Sequence, residues 1–179
     1  MANKQFSIHY FARPLPIVCV IIAMVFLSAC DDKEQSYQKG LYAYRTGNYE
    51  SAVAEFQDAA DKGHPEAMFK LALCYNDGNG VGKDKDKALD YLIKSADAGN
   101  VKARFMVISK DADDNKISRE DVLKQFREMD AEMLKLAEAN DPDAQNIYAM
   151  LCLLQGKRAE AKSWKEKSEA NGGKGLSSF

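Results

Sequence analysis

Leu71-Ala72-Leu73-Cys74-Tyr75-Asn76-Asp77-Gly78-Asn79-Gly80-Val81 is the stretch on which the reading of this chain turns. Its first half is dense in apolar residues, as a packed helix is, and its second half is broken by glycines that can take loop conformations at no Cβ cost. A helix ends there and the chain turns back. On either side the sequence repeats itself. Ala52, Phe56, Ala60, Gly63 and Ala67 recur as Ala88, Leu92, Ala96, Gly99 and Ala103 at a constant shift of 36, and Tyr44-Arg45-Thr46-Gly47 recurs as Tyr75-Asn76-Asp77-Gly78 at a shift of 31. The five extra residues therefore sit after Gly78, in the glycine loop that runs to Lys83. Weaker copies come later in the chain: Ala96, Gly99 and Ala103 map onto Ala137, Asn140 and Ala144, and Gly47, Ala52 and Gly63 onto Gly156, Ala161 and Gly172. Self-similarity at a fixed spacing is the mark of a repeat architecture.

Within each unit the period is helical. Ala52, Val53, Phe56, Ala59 and Ala60 stand at i, i+1, i+4, i+7 and i+8, which places them on one face of a helix, and Ala88, Leu89, Leu92 and Ala96 do nearly the same. Gly63 and Gly99 come directly after the last periodic residue, where a left-handed residue stops a helix, and Pro65 and Pro142 suit the first turn of the next. Ser118 with Asp121 three residues on has the pattern of a capped helix start. The spacing predicts helices over 34–46, 49–62, 65–76, 84–98, 101–111, 118–139, 142–155 and 157–171, with no strand of useful length. The fold class expected is all-α: a right-handed solenoid of antiparallel helix pairs, about four units long, because a single pair cannot bury its apolar face alone.

These residues carry a resemblance. The 71–81 stretch, together with Asp84, Ala88, Tyr91, Ala96, Gly99 and Ala103, resembles the Sel-one-like repeat, a relative of the tetratricopeptide repeat with a longer glycine loop. Gly40, Gly47, Tyr49, Ala52 and Phe56 resemble a plain tetratricopeptide unit. Trp164, three after Ala161, takes the place of Tyr91. In the third unit the glycine loop is replaced by Asp111-Ala112-Asp113-Asp114-Asn115. The resemblance spans most of 34–172 and implies a concave surface that binds polypeptide, lined by the first helix of each pair. Carrying the lining positions across picks out Tyr37, Tyr44, Arg45, Asn76, Arg104 and Asn146 as partner-binding residues. Tyr and Arg are the residue types that anchor interfaces. The competing reading has Tyr37 and Tyr44 simply packing the first unit, with Arg45 solvated.

The N-terminus gives an address. Lys4 and Arg13 precede an apolar run of 11 residues, Ile17 to Leu27, short of the roughly 20 that a membrane span needs. Leu27-Ser28-Ala29-Cys30 resembles the bacterial lipobox, which implies acylation of Cys30 and cleavage before it. The alternative is an ordinary secretory signal with Cys30 a free thiol. The domain reading is a signal peptide over 1–29, a lipidated tether over 30–33, the repeats over 34–172 and a flexible tail over 173–179. Asp31 and Asp32 next to the acylated Cys imply, by resemblance to enterobacterial lipoproteins, retention at the inner membrane facing the periplasm rather than at the outer membrane. Cys74 and Cys152 are expected to lie too far apart for a disulfide and to be free and buried.

Composition removes several functions. With 25 Lys plus Arg against 27 Asp plus Glu, the chain has no broad basic field with which to displace counterions from nucleic acid. Two histidines, His9 and His64, cannot furnish a His-rich metal site, and the second reads as a turn residue before Pro65. The Gly78–Lys83 run departs from a phosphate loop, since Asp77 and Asp84 stand where Gly and Ser or Thr belong, and it comes after a helix, not a strand. Asp111, Asp113 and Asn115 have calcium-loop spacing, but Lys116 replaces the turn glycine, and a solvated loop is the stronger reading. No cofactor, metal or catalytic residue is expected, and the chain reads as a binding module rather than an enzyme. Lipoproteins with such repeats resemble immunity proteins that neutralise antibacterial phospholipases delivered by type VI secretion. That resemblance implies a secreted lipase as the protein partner, with the membrane met only through the lipid anchor. The alternative is a structural or regulatory adaptor of an envelope complex.

Overall fold

A computed structural model describes residues 32–173, within which the chain is helices and turns with no strand. Residues 32–45 form α1. Then come α2 (Tyr49–Asp61), α3 (Pro65–Asp77), α4 (Lys85–Asp97), α5 (Val101–Asp113), α6 (Arg119–Glu138), α7 (Pro142–Leu154) and α8 (Arg158–Ala170). Each helix from α2 onward packs on the next, and α5 also touches α7 directly. The expected helical-repeat solenoid is therefore present: α1, α3, α5 and α7 lead the four pairs, and α2, α4, α6 and α8 close them.

Local chemistry sets the boundaries. His64, Asp84, Asn100, Ser118 and Asp141 each accept a hydrogen bond from a backbone N–H in the first turn of the helix they precede, removing a donor that would otherwise be unpaired. Lys157 before α8 offers no such cap. At the other end of α3, Gly78 takes φ 79° and its N–H closes on Cys74 O at 2.8 Å. The loop beyond it is pressed onto the first unit. Gly80 has φ 72°, and a Cβ there would collide with Tyr49 O, so only glycine lets this loop lie against the start of α2.

One boundary departs from expectation. α5 runs to Asp113, two residues beyond the predicted end, because Lys110 pairs with Asp114 one turn ahead, and the helix stops where Asn115 takes φ 55°. Asp111 and Asp113 are therefore helical, and their spacing is not that of a calcium loop. Asp111 and Asp114 are both held by Lys116, at 3.0 and 3.1 Å.

The core is continuous from pair to pair. Phe56 lies under Tyr37, Tyr44 and Leu71 in the first unit, while Phe69, Leu92, Phe105, Phe126, Met129, Met133 and Ile147 form the larger cluster across the other three. Full burial of each such side chain contributes about 1.5–3 kcal/mol. One polar contact recurs: Ser95 Oγ donates to Pro65 O at 2.8 Å, and Ser168 Oγ donates to Pro142 O at 2.7 Å. A buried serine on the closing helix thus ties the first carbonyl of its leading helix in both the second and the fourth pair. Cys74 and Cys152 are free and buried, as expected.

Candidate partner-binding surface

Cys30 and Asp31 lie outside the described residues, as do the signal segment and 174–179. Asp32 is helical and exposed, and its carbonyl accepts from Ser36 Oγ at 3.1 Å. The residues expected to line the concavity divide into two sets. Tyr37 and Tyr44 face inward on α1, their ring centroids 6.0 and 6.4 Å from that of Phe56. Tyr37 also stacks on His64 at 4.4 Å, and Tyr44 meets Tyr49 edge-on at 5.1 Å while its hydroxyl accepts from Asn79 Nδ2 at 3.3 Å. Burial, ahead of any neighbouring group, pushes the Tyr44 phenol up to about 12. Both tyrosines hold the first unit together, and each keeps only part of its ring at the surface.

Asn76 is a correction. It is 2% exposed and its Nδ2 donates to Asp77 Oδ1 at 3.1 Å, so it is a packing residue and not a lining one. The shift that aligns it with Arg45 is right, but Arg45 is exposed on α1, whereas the same position on α3 is buried. Arg104 is exposed on α5 and Asn146 half-buried on α7. Tyr37, Tyr44 and Arg45 thus share α1, while Arg104 and Asn146 sit singly on later leading helices.

Beside them lies a charged row that the sequence reading missed. Lys102, at the second position of α5, is 1% exposed. Its ammonium lies 2.7 Å from Glu66 Oε2 on α3 and 2.6 Å from Asp141 Oδ2 at the start of α7, and 5.1 Å from the centre of the Phe69 ring. Burial works against its charge, but Glu66 and Asp141 outweigh it and hold the Lys102 pKa above its ordinary value. Asp141 shows the converse: burial opposes its ionisation, yet Lys102 and the Ala144 N–H keep it below the usual carboxylate range. A second pair, Lys70 to Asp143 at 2.5 Å, ties α3 to α7.

At the N-terminal end of the row, His64 Nδ1 accepts from Ala67 N, so its proton is on Nε2 and is given to Glu34 Oε2 at 3.0 Å. The Tyr37 phenol looks onto this row. Burial raises its pKa first, and the fields of Glu66, Asp141, Asp143 and Glu34 raise it further. Four carboxylates on α1, α3, α7 and the α6–α7 turn therefore converge near one hydroxyl, balanced by Lys70 and Lys102. Among the described residues no group of three or more His, Cys, Asp or Glu is arranged to hold a metal ion. The arrangement cross-links leading helices and gives the inner face a polar, hydrogen-bonding character.

A signal for this row exists in the sequence. The shifts of 36 and 41 that align the repeats also align Glu66, Lys102 and Asp143, one position in three successive units with its charge alternating in sign. An alternating charge at a position near a helix start is what interlocking units require.

Residues 65–100 match the Sel1 repeat family. Over 45 residues the chain is 40% identical to the DAP3-binding cell death enhancer 1 of Mus musculus, covering 25% of this chain and 9% of that protein. Over 63 residues it is 36% identical to the exopolysaccharide production negative regulator of Rhizobium leguminosarum bv. viciae, covering 35% of this chain and 24% of that one. The chain thus spans less than a quarter of the length of these curated relatives. A solved Sel1 repeat protein from Oxalobacter formigenes aligns over 78% of this chain and 58% of its own, with a TM-score of 0.44 and 21% identity.

Proposed function

We propose that this protein is a membrane-anchored, periplasm-facing binding module that uses its helical repeats to hold another protein and has no catalytic role of its own. The observation that carries the reading is a Sel1 repeat at 65–100 set within a stack of helix pairs, the architecture through which such repeats bind polypeptide. The lipobox-like Leu27-Ser28-Ala29-Cys30 supports the anchor, and Asp31 and Asp32 support inner-membrane retention. Two or more acyl chains, at about 0.8 kcal/mol per buried CH₂, anchor stably.

The specific role proposed is immunity: the tethered solenoid intercepts a phospholipase effector delivered by type VI secretion and blocks its cleft or its access to lipid. Confinement to the membrane would raise the local concentration of the inhibitor where the enzyme acts. Arg45 and Arg104, with the exposed edges of Tyr37 and Tyr44, are the side chains of the expected set that present themselves to such a partner.

The test is affinity capture with the full-length protein, from cells expressing the genes that flank its own. Recovery of a secreted lipase in fixed ratio, reduced by Arg45→Ala with Arg104→Ala, supports immunity. Recovery of resident envelope proteins alone replaces it with the adaptor role. A Cys30→Ser variant that remains in the membrane fraction would remove the lipid anchor from the reading.

A further inference from the structure

We infer that the groove between α7 and α8, on the last described helix pair, is a docking seat for an acidic amphipathic helix of a partner protein. The floor of this groove is Asn146, Ala149, Met150 and Leu153 on α7, and its far wall is Arg158, Lys162 and Lys165 on α8. Met150 is 44% and Leu153 56% exposed. Large apolar side chains grouped on one face mark a contact surface more often than chance exposure does.

The second pair shows what such a groove receives. There Leu73 on α3 and Leu89 and Leu92 on α4 pack in one core with Phe105, Met106 and Ile108 of α5, so the seat is filled by the next leading helix. The same registers that superpose Pro65 on Pro142 and Ser95 on Ser168 place Leu73 on Met150, Asn76 on Leu153, Leu89 on Lys162 and Leu92 on Lys165. The buried Asn76 position has thus become an exposed leucine, while two core leucines have become lysines. A pair whose outer groove needed only solubility would be polar on both walls. This one keeps the α7 wall apolar and makes the α8 wall basic.

Charge decides the occupant. The groove is lined by three cations and no carboxylate, and among the described residues the acid paired with them, Glu166, stands loosely at 3.9 Å from Lys162. A second copy of the same face would set these cations against one another. A helix with an apolar stripe and acidic flanks satisfies both walls, as α7 itself does within the stack, bringing Asp141 and Asp143 to Lys102 and Lys70. The seat shares Asn146 with the expected partner-binding set but contains none of Tyr37, Tyr44, Arg45 or Arg104, so substitutions at Arg45 and Arg104 separate it from the immunity reading.

Trp164, the sole tryptophan, adjoins Lys165 on α8 and meets Tyr148 of α7 edge-on at 5.5 Å, which makes its emission a local report. The experiment titrates the full-length protein in phosphatidylcholine nanodiscs with a synthetic helical peptide of about five turns bearing a leucine stripe flanked by glutamates. A second peptide with lysine flanks serves as the control. The expected result is saturable change in Trp164 emission with the glutamate peptide only. It should be weakened at least tenfold by Lys162→Glu with Lys165→Glu and, separately, by Leu153→Ser, while Arg45→Ala with Arg104→Ala leaves it intact.

Retained helical circular dichroism excludes loss of fold as the cause. Equal response to both peptides, or none to either, overturns the proposal. So does binding of anionic phosphatidylglycerol vesicles through the same lysines without peptide binding, which assigns the face to lipid. Self-association that Leu153→Ser abolishes assigns it to a second copy and equally overturns the proposal.

Discussion

Lys102 Nζ on α5 lies 2.6 Å from Asp141 Oδ2, the carboxylate that also caps α7, so one buried ammonium joins the starts of two leading helices. Glu66 completes the contact from a third. Lys102→Met keeps much of the side-chain volume and strands both acids. The expected loss is about 3 kcal/mol, the lower end for a broken buried pair, because each carboxylate keeps a solvent-facing edge. Urea unfolding measures it. Asp141→Asn, which preserves the cap, should cost less than Lys102→Met, and the reverse order would remove Lys102 as the centre of the joint.

The same contact gives stability a shape in pH. Asp141 is held below its ordinary 3.8, so its contribution is complete above that value and is lost as pH falls through the lower folded pKa. Lys102 is held above 10.5 and contributes fully below that value, fading as pH rises through the higher folded pKa. Tyr37 works in the same sense at high pH, since its buried phenol resists the ionisation that the unfolded chain undergoes, and it adds to the alkaline loss. Thermal melts should show a plateau between about pH 5 and 9, with an acid limb below about 4 and an alkaline limb above about 10. In Lys102→Met the acid limb should shrink, since only the Ala144 N–H and Lys70 then oppose the burial of Asp141 and its folded pKa moves back up, closing the gap to the unfolded value.

Gly80 and Gly82 stand two apart in one loop and predict opposite outcomes. Gly80→Ala must hold φ 72° and drive a methyl into Tyr49 O, so destabilisation of about 2 kcal/mol or more is expected. Gly82→Ala meets nothing within 4 Å and should stay within about 0.5 kcal/mol of the parent. Chemical denaturation of the two variants decides it. Equal effects would mean that the loop does not rest on α2.

The internal thiols should be silent in the native state. Burial pushes the Cys74 thiol up to about 12, and burial likewise raises Cys152. Iodoacetamide at mildly alkaline pH should label neither until denaturant is added, as peptide mass spectrometry would show. Rapid labelling of Cys74 without denaturant would place it at the surface.

The helices, their order and most of their ends were legible because most units state their period, cap and stop within one repeat length, as His64 before α3 and Gly78 after it do. The binding face was less so. Repeat alignment says which positions correspond, and treats Arg45 and Asn76 alike, but burial depends on which helix packs over a position, and α1 leaves Arg45 open where α3 has Asn76 covered. α5 overran its predicted end because acidic residues read as loop when counted alone and as helix when Lys110 and Asp114 pair across a turn. Lys102 escaped notice because a lysine near a helix start is ordinarily solvated, and its two partners lie 36 residues before it and 39 after.

Charge alternation from Glu66 to Lys102 to Asp143 means that these units are not interchangeable copies, however alike their helices. Deleting or duplicating the unit that contains α5 and α6 would bring an acid against an acid, or a lysine against a lysine, at the seam. Such a chain can vary its exposed side chains without disturbing the joint, but between α3 and α7 the number of its units is locked from the inside.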